Sequence, residues 1–170
     1  MESSRQDELP ITNNLNSLRV GDSDEVHKWP HGTTLFTGDS ILDNIQENRM
    51  GRSQCVKVRA FPEAKIEDMY DYMTPLLKKE PSLIILHAGS NNSTSEDASS
   101  MVNKLLLLKN HIQTILPNCT VCLSTPTLRL DNPSAGFVLR QVSDMMKLLD
   151  IKIINNDEIN ASCVRKRVCI

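Results

Sequence analysis

Five short runs of β-branched and apolar residues, TTLFT (33–37), CVKVRA (55–60), SLIILHA (82–88), TVCLST (120–125) and IKIIN (151–155), punctuate the chain from residue 33 onward. Longer stretches between them repeat apolar residues every three or four positions, the period of a helix face. Strands separated by helix-length connections cannot form hairpins; they pair in parallel through right-handed crossovers, with helices on both faces of the sheet. The alternation therefore predicts a three-layer α/β/α sandwich around a five-stranded parallel sheet, of the flavodoxin-like kind.

The helical segments carry their own signals. Met101, Leu105, Leu108, Ile112 and Ile115 form one predicted core stripe, and Val138, Val142, Met145 and Leu149 another. The run NNSTSED supplies caps and first-turn acids for the long helix, which Pro117 and Asn118 stop. Thr74-Pro75 interrupts IEDMYDYMTPLLKK, so a kinked or split helix is expected there. Residues 1–30 are polar and aperiodic and close in Trp29-Pro30-His31-Gly32. They read as a flexible leader to one domain spanning 31–170.

Composition narrows the function classes. With 170 residues, 39% of them hydrophobic and 24% charged, the chain fits one ordinary globular domain. Nineteen basic against 21 acidic residues leave a net charge of −2, which gives no nucleic-acid footprint. The tripeptide RKR (165–167) is too short to change that. No apolar run reaches the ~20 residues of a membrane span, and the start lacks a secretion signal. Together with five scattered cysteines, this predicts a reducing compartment, the cytoplasm or nucleus, with no membrane partner. No metal or other cofactor is expected, because His, Cys and carboxylates nowhere take ligand spacing. Cys119 and Cys122 have redox spacing but enter a strand, and read as one turn and one core cysteine.

In an open parallel sheet, chemistry gathers in the loops after the strands. The first such loop holds Gly38-Asp39-Ser40, and the tripeptide recurs at Gly21-Asp22-Ser23 with no strand before it, so context separates the copies. Ser40 is a candidate nucleophile, with a helix expected from Ile41. The competing reading makes Asp39 and Ser40 caps of that helix. The third loop holds Gly89-Ser90-Asn91-Asn92, where a neutral amide at Asn91 is a candidate oxyanion donor.

A strand ending in Gly-Asp-Ser, a second leading into AFPEAKI and a third ending in Gly-Ser-Asn-Asn resemble the SGNH, or GDSL-type, hydrolases. Within them the ordered blocks are most similar to the esterase-like domains of retroelement open reading frames, from about Lys28 to Lys166. The resemblance implies Ser40 as nucleophile and Asn91 as oxyanion donor, with the backbone N–H groups of Ser40 and Glu63 completing the oxyanion hole. It implies a small acyl ester as ligand. Three departures accompany it. Glu63 stands where the family has glycine, Asn92 stands where it has aspartate, and the loop after the fifth strand sets Lys166 and Cys169 at its catalytic Asp and His. The family's final helix is also expected to be missing, leaving a shortened end and surface open to self-association. His87 lies on the third strand and reads as structural. Asp157 and Glu158 follow the fifth strand but are weak bases for a hydroxyl.

Two functions remain open on these residues. One is a serine esterase working through an acyl-serine. The other is a hydrolase-like fold with impaired catalysis, serving as a binding or assembly module.

Overall fold

The computed structural model describes residues 27–50 and 55–157. Strand β1 (Thr34–Gly38) is followed by two 3₁₀ turns, Ser40–Asn44 and Glu47–Arg49, and then by β2 (Val56–Ala60). The chain continues through helix α1 (Met69–Leu77), β3 (Leu83–His87), a third 3₁₀ turn (Asn92–Thr94) and α2 (Ala98–Ile115). It ends in β4 (Thr120–Ser124), α3 (Pro133–Lys147) and β5 (Ile153–Ile154). All five strands pair in parallel in the order β2-β1-β3-β4-β5, within two residues of the bounds predicted from sequence.

Strand order fixes the layers. The steps β2→β3, β3→β4 and β4→β5 run the same way across the sheet, so right-handed crossovers put α1, α2 and α3 on one face. The step β1→β2 runs back and puts the 3₁₀ segment on the other. Packing agrees: α2 touches both α1 and α3. Leu35, Ile84, Leu86, Val121 and Leu123 alternate into one core with Met69, Met73, Met101, Leu105, Leu108, Ile112, Leu139 and Met146. Leu42 and Ile85 are buried outside that cluster, as expected for the opposite face. At ~2 kcal/mol per fully buried aliphatic side chain, the helical face dominates the stability.

Several expectations are corrected. The helix expected from Ile41 is a five-residue 3₁₀ turn, whose macrodipole is negligible. Pro75 does not split α1: its missing N–H removes one helical bond, and the helix ends two residues later at Leu77. The stripe on α2 holds except for Ile115, which is exposed at the helix end. On α3 the buried row is Ala135, Leu139, Val142 and Met146, with Val138, Met145 and Leu149 packing at its margin. Period alone leaves the phase free by one position, and small residues such as Ala135 mark the buried row without a strong hydropathy signal. Cys119 lies in the turn before β4 and Cys122 on the strand as expected, but it is the turn cysteine that is buried, and burial pushes its thiol up to about 11, while Cys122 is half-buried. Cys55, Cys119 and Cys122 are free thiols.

Trp29 packs on the same core, donates its N–H to Lys79 O at 3.0 Å and lies under the Arg59 guanidinium at 5.9 Å. The turn at 31–32 follows, with Gly32 at φ +83°. Thr33 N donates to Pro30 O at 3.1 Å.

Candidate functional site

The loop after β1 is set by one contact. A Cβ on Gly38 would stand 1.7 Å from the carbonyl oxygen of His87, its partner on β3, so no other residue fits between these strands. The pairing extends one residue further, because Asp39 N donates to His87 O at 3.0 Å. The Asp39 side chain, 1% exposed, then bridges two loops. Its Oδ1 accepts Ile41 N–H and its Oδ2 accepts Ser90 N–H, both at 3.3 Å. The capping reading thus holds for Asp39 alone. Ser40 opens the 3₁₀ turn with its side chain exposed, and among the described residues nothing hydrogen-bonds its hydroxyl. Through Asp39 and Ser90 the structure ties the Ser40 loop to the Asn91 loop.

The loops after β2 and β3 are joined just as closely. Glu63 adopts φ +64°, a left-handed conformation that costs a residue with a Cβ ~1–2 kcal/mol and that glycine adopts freely. Next to it, Ala64 O accepts Asn91 Nδ2–H at 2.9 Å. Asn91 and Glu63 are therefore neighbours, and one of the two amide hydrogens of Asn91 is already engaged. Asn92, fully buried, is the stronger fastener. Its Oδ1 accepts Ile66 N–H at 3.0 Å, and its Nδ2 donates to Glu67 at 2.9 Å and to Glu96 at 2.6 Å. Lys104 bridges the same two carboxylates, at 2.6 Å from Glu96. Burial pushes the Glu67 carboxyl up, but the bonds from Lys104 and Asn92 outweigh it and hold it down at about 2. An aspartate at 92 would face two carboxylates with no hydrogen to donate, so the family's acid and this chain's Glu67–Glu96 pair exclude each other. The sequence alone assigned Asn92 no role. Its signal was there, in a second asparagine directly after the candidate Asn91.

Beyond β3 the polar groups engage one another. His87, 3% exposed, sets Nδ1 at 3.1 Å from Ser124 Oγ. Asn156 Nδ2 donates to Ser124 Oγ at 2.7 Å and to Thr125 O at 2.6 Å. Asn156 N donates to Thr125 Oγ1 at 2.8 Å. This network laces β3, β4 and β5 together, and sequence reasoning did not find it. His87 Nε2 is buried without a partner. Burial pushes the imidazole below its ordinary 6.5, and the Asp39 carboxylate offsets part of that. Asp157 accepts a hydrogen bond from Ser143 Oγ at 3.0 Å and pairs with Lys147, whose hydrogen bond holds the carboxyl below its usual range. Glu158, Lys166 and Cys169 lie outside the described residues. Two cavities open near the β4–α3 loop, one of about 240 Å³ between Pro126, Arg140 and Asn156 and one of about 370 Å³ beside Leu130 and Phe137. Another of about 440 Å³ lies between Asp97, Ala98 and Ser99 on one side and Gln141, Asp144 and Met145 on the other.

Fold and site together define an α/β protein with an exposed serine after β1 and asparagines after β3, at the carboxyl edge of a parallel sheet. Solved structures similar to it include proteins described as GDSL-type lipases and acylhydrolases. The chain matches a protein assigned as an acylhydrolase from Bacteroides fragilis with TM-score 0.65 at 14% identity, covering 84% of this chain and 76% of that one. It matches the psychrotrophic esterase EstA from Pseudoalteromonas sp. with TM-score 0.57 at 13% identity, covering 80% and 85%. A member of the lipolytic G-D-S-L family from Veillonella parvula matches with TM-score 0.58 at 16% identity, covering 72% and 76%. At these identities the likeness is one of fold, and the chain has the fold of GDSL-type acylhydrolases. No family model matches the chain, and no curated protein matches its sequence. Among the described residues, no helix is long and apolar enough to cross a membrane.

Proposed function

We propose that the protein is an SGNH hydrolase-like chain in which acyl-serine chemistry is impaired, so that it acts chiefly by binding. One observation carries this reading: the Ser40 hydroxyl is exposed and placed, yet neither described candidate base is free to serve it. The Nδ1 atom of His87 is engaged by Ser124, its Nε2 is buried away from solvent, and the Asp157 carboxylate is held by Lys147 and Ser143. A serine hydroxyl without a base is a very weak nucleophile near neutrality. Lys166 and Cys169, which the resemblance sets at the catalytic Asp and His, add to the argument, since neither supplies an imidazole. The retroelement kinship rests on the ordered sequence blocks. A reducing compartment is supported by the free thiols at Cys55, Cys119 and Cys122.

The opposing reading, an active esterase acting on small acyl esters, draws on Glu63. Its left-handed backbone keeps the conformation a glycine would give, and on this reading the N–H groups of Glu63 and Ser40, with Asn91, would form the oxyanion hole. Removing one member of a serine triad lowers turnover by about 10⁴ to 10⁶. Hydrolysis of a short-chain p-nitrophenyl ester by the full chain should therefore equal that of Ser40→Ala. An esterase-like rate abolished by Ser40→Ala would sink the impaired reading and establish the alternative.

A further inference from the structure

Helix α3 carries a second stripe on its outer side. Phe137, Gln141, Asp144 and Leu148 recur at spacings of four, three and four, which puts them on one face, and all four are exposed. The two ends of the stripe are large and apolar: Phe137 is 63% exposed and Leu148 87%. They lie ~16 Å apart along the axis, eleven residues at the helical rise. Beside Phe137 opens the cavity of about 370 Å³, walled by Leu128, Leu130, Pro133, Gly136 and Phe137 together with Arg129 and Arg140. One helix face thus holds an apolar knob at one end and an apolar hole at the other.

The charges between them have a sense of direction. Arg140 makes no ion pair among the described residues. Asp144 sits one turn further on, 3.3 Å from a Lys147 that Asp157 also engages, so its carboxylate is free to accept a second cation. A copy of α3 laid antiparallel about a point near residue 142 sets Arg140 against the partner's Asp144, and Asp144 against the partner's Arg140. The same operation brings Leu148 to the partner's Phe137 and the hole beside it. A parallel copy would oppose Arg140 to the partner's Arg140 and leave both holes empty. A two-fold axis uses each feature twice and closes, which a head-to-tail contact would not.

We propose that this face of α3 is the interface of a two-fold dimer, in which Leu148 of each protomer enters the Leu130–Phe137 cavity of the other and two Arg140–Asp144 pairs fix the antiparallel register. Like-charge opposition rejects the parallel alternative, and the buried knob supplies the attraction. The proposal is independent of Ser40 chemistry.

Sedimentation of the full chain over a concentration series tests it. The wild type should show a concentration-dependent monomer–dimer equilibrium. Leu148→Glu should raise the dissociation constant by about thirtyfold or more, the effect of losing a buried anchor. Arg140→Glu and Asp144→Arg should each weaken the dimer about tenfold, and the double variant should restore it, because each protomer then offers the reversed pair to its partner. All these positions are exposed, so melting temperatures should stay near wild type and report that the variants fold. A wild type that is monomeric throughout overturns the proposal. So does a dimer indifferent to Leu148→Glu, or a double variant no tighter than the single ones.

Discussion

The two halves of the sheet's carboxyl edge are held in opposite ways. In the half built on β1, β2 and β3, side chains fasten loop backbones to one another: the buried Asp39 to Ser90, the half-buried Asn91 to Ala64, the buried Asn92 to Ile66. The Ser40 hydroxyl is left unclaimed. In the half built on β3, β4 and β5, side chains fasten side chains: His87 to Ser124, Ser124 to Asn156, Asp157 to Ser143. The acceptor left over there, His87 Nε2, is buried. The contrast separates two requirements of serine chemistry. Placing a nucleophile needs only a glycine contact and a cross-linked loop, whereas activating it needs an accessible acceptor with no other partner.

The contrast breaks most readily at Asn92. Its removal orphans the buried Ile66 N–H and takes a donor from the half-buried Glu96 and the exposed Glu67, so Asn92→Ala should destabilise by roughly 3 kcal/mol. Asn91→Ala removes one half-exposed hydrogen bond and should cost ~1 kcal/mol. Urea denaturation of the two variants measures the difference. Equal costs would mean that the loops after β2 and β3 are not fastened through Asn92.

The second half should announce itself through pH. The His87 imidazole titrates below its ordinary 6.5 in the folded state, because burial disfavours the cation more than Asp39 favours it. The unfolded chain then binds the proton more readily. Stability from this residue is fully present above about pH 6.5 and falls as pH drops through the interval down to the folded value. Glu67 acts in a lower window: with its carboxyl held at about 2 against 4.5 when free, its contribution is lost only as pH falls below 4.5. Glu67 is largely exposed, so its window is real but its weight is modest. His87→Gln should remove the slope that begins below pH 6.5 and leave the one Glu67 contributes below 4.5. An unchanged slope just below pH 6.5 would show that another group carries it.

Sequence made the sheet legible for a physical reason. Five β-branched runs at crossover spacing admit few arrangements, and the observed strands lie within two residues of those runs. The Ser40 loop was legible from its position after β1. The length of the element after it was not, because Ile41, Leu42 and Ile45 give a helical period too short to choose between an α-helix and a 3₁₀ turn. The His87–Ser124–Asn156 network was hidden for another reason. Its members are common residues, far apart in sequence, that become a set only when β3, β4 and β5 align. Asn92 lay between, adjacent to a recognised candidate yet carrying the load that the candidate does not.

The finest test of the comparison is at Glu63, where the first half stores strain. A left-handed φ of +64° costs a side-chain-bearing residue ~1–2 kcal/mol, and glycine escapes that cost while gaining freedom in the unfolded chain. The two effects oppose each other, and the net change for Glu63→Gly should be a gain of about 0.5–1 kcal/mol. Glu63→Ala separates backbone from charge. Alanine keeps the Cβ and the strain but loses the carboxylate, so its stability should match wild type within about 0.5 kcal/mol. If alanine stabilises as much as glycine, the carboxylate and not the backbone is the burden at this loop. If only glycine does, the backbone after β2 holds a glycine's conformation against the preference of the residue it carries.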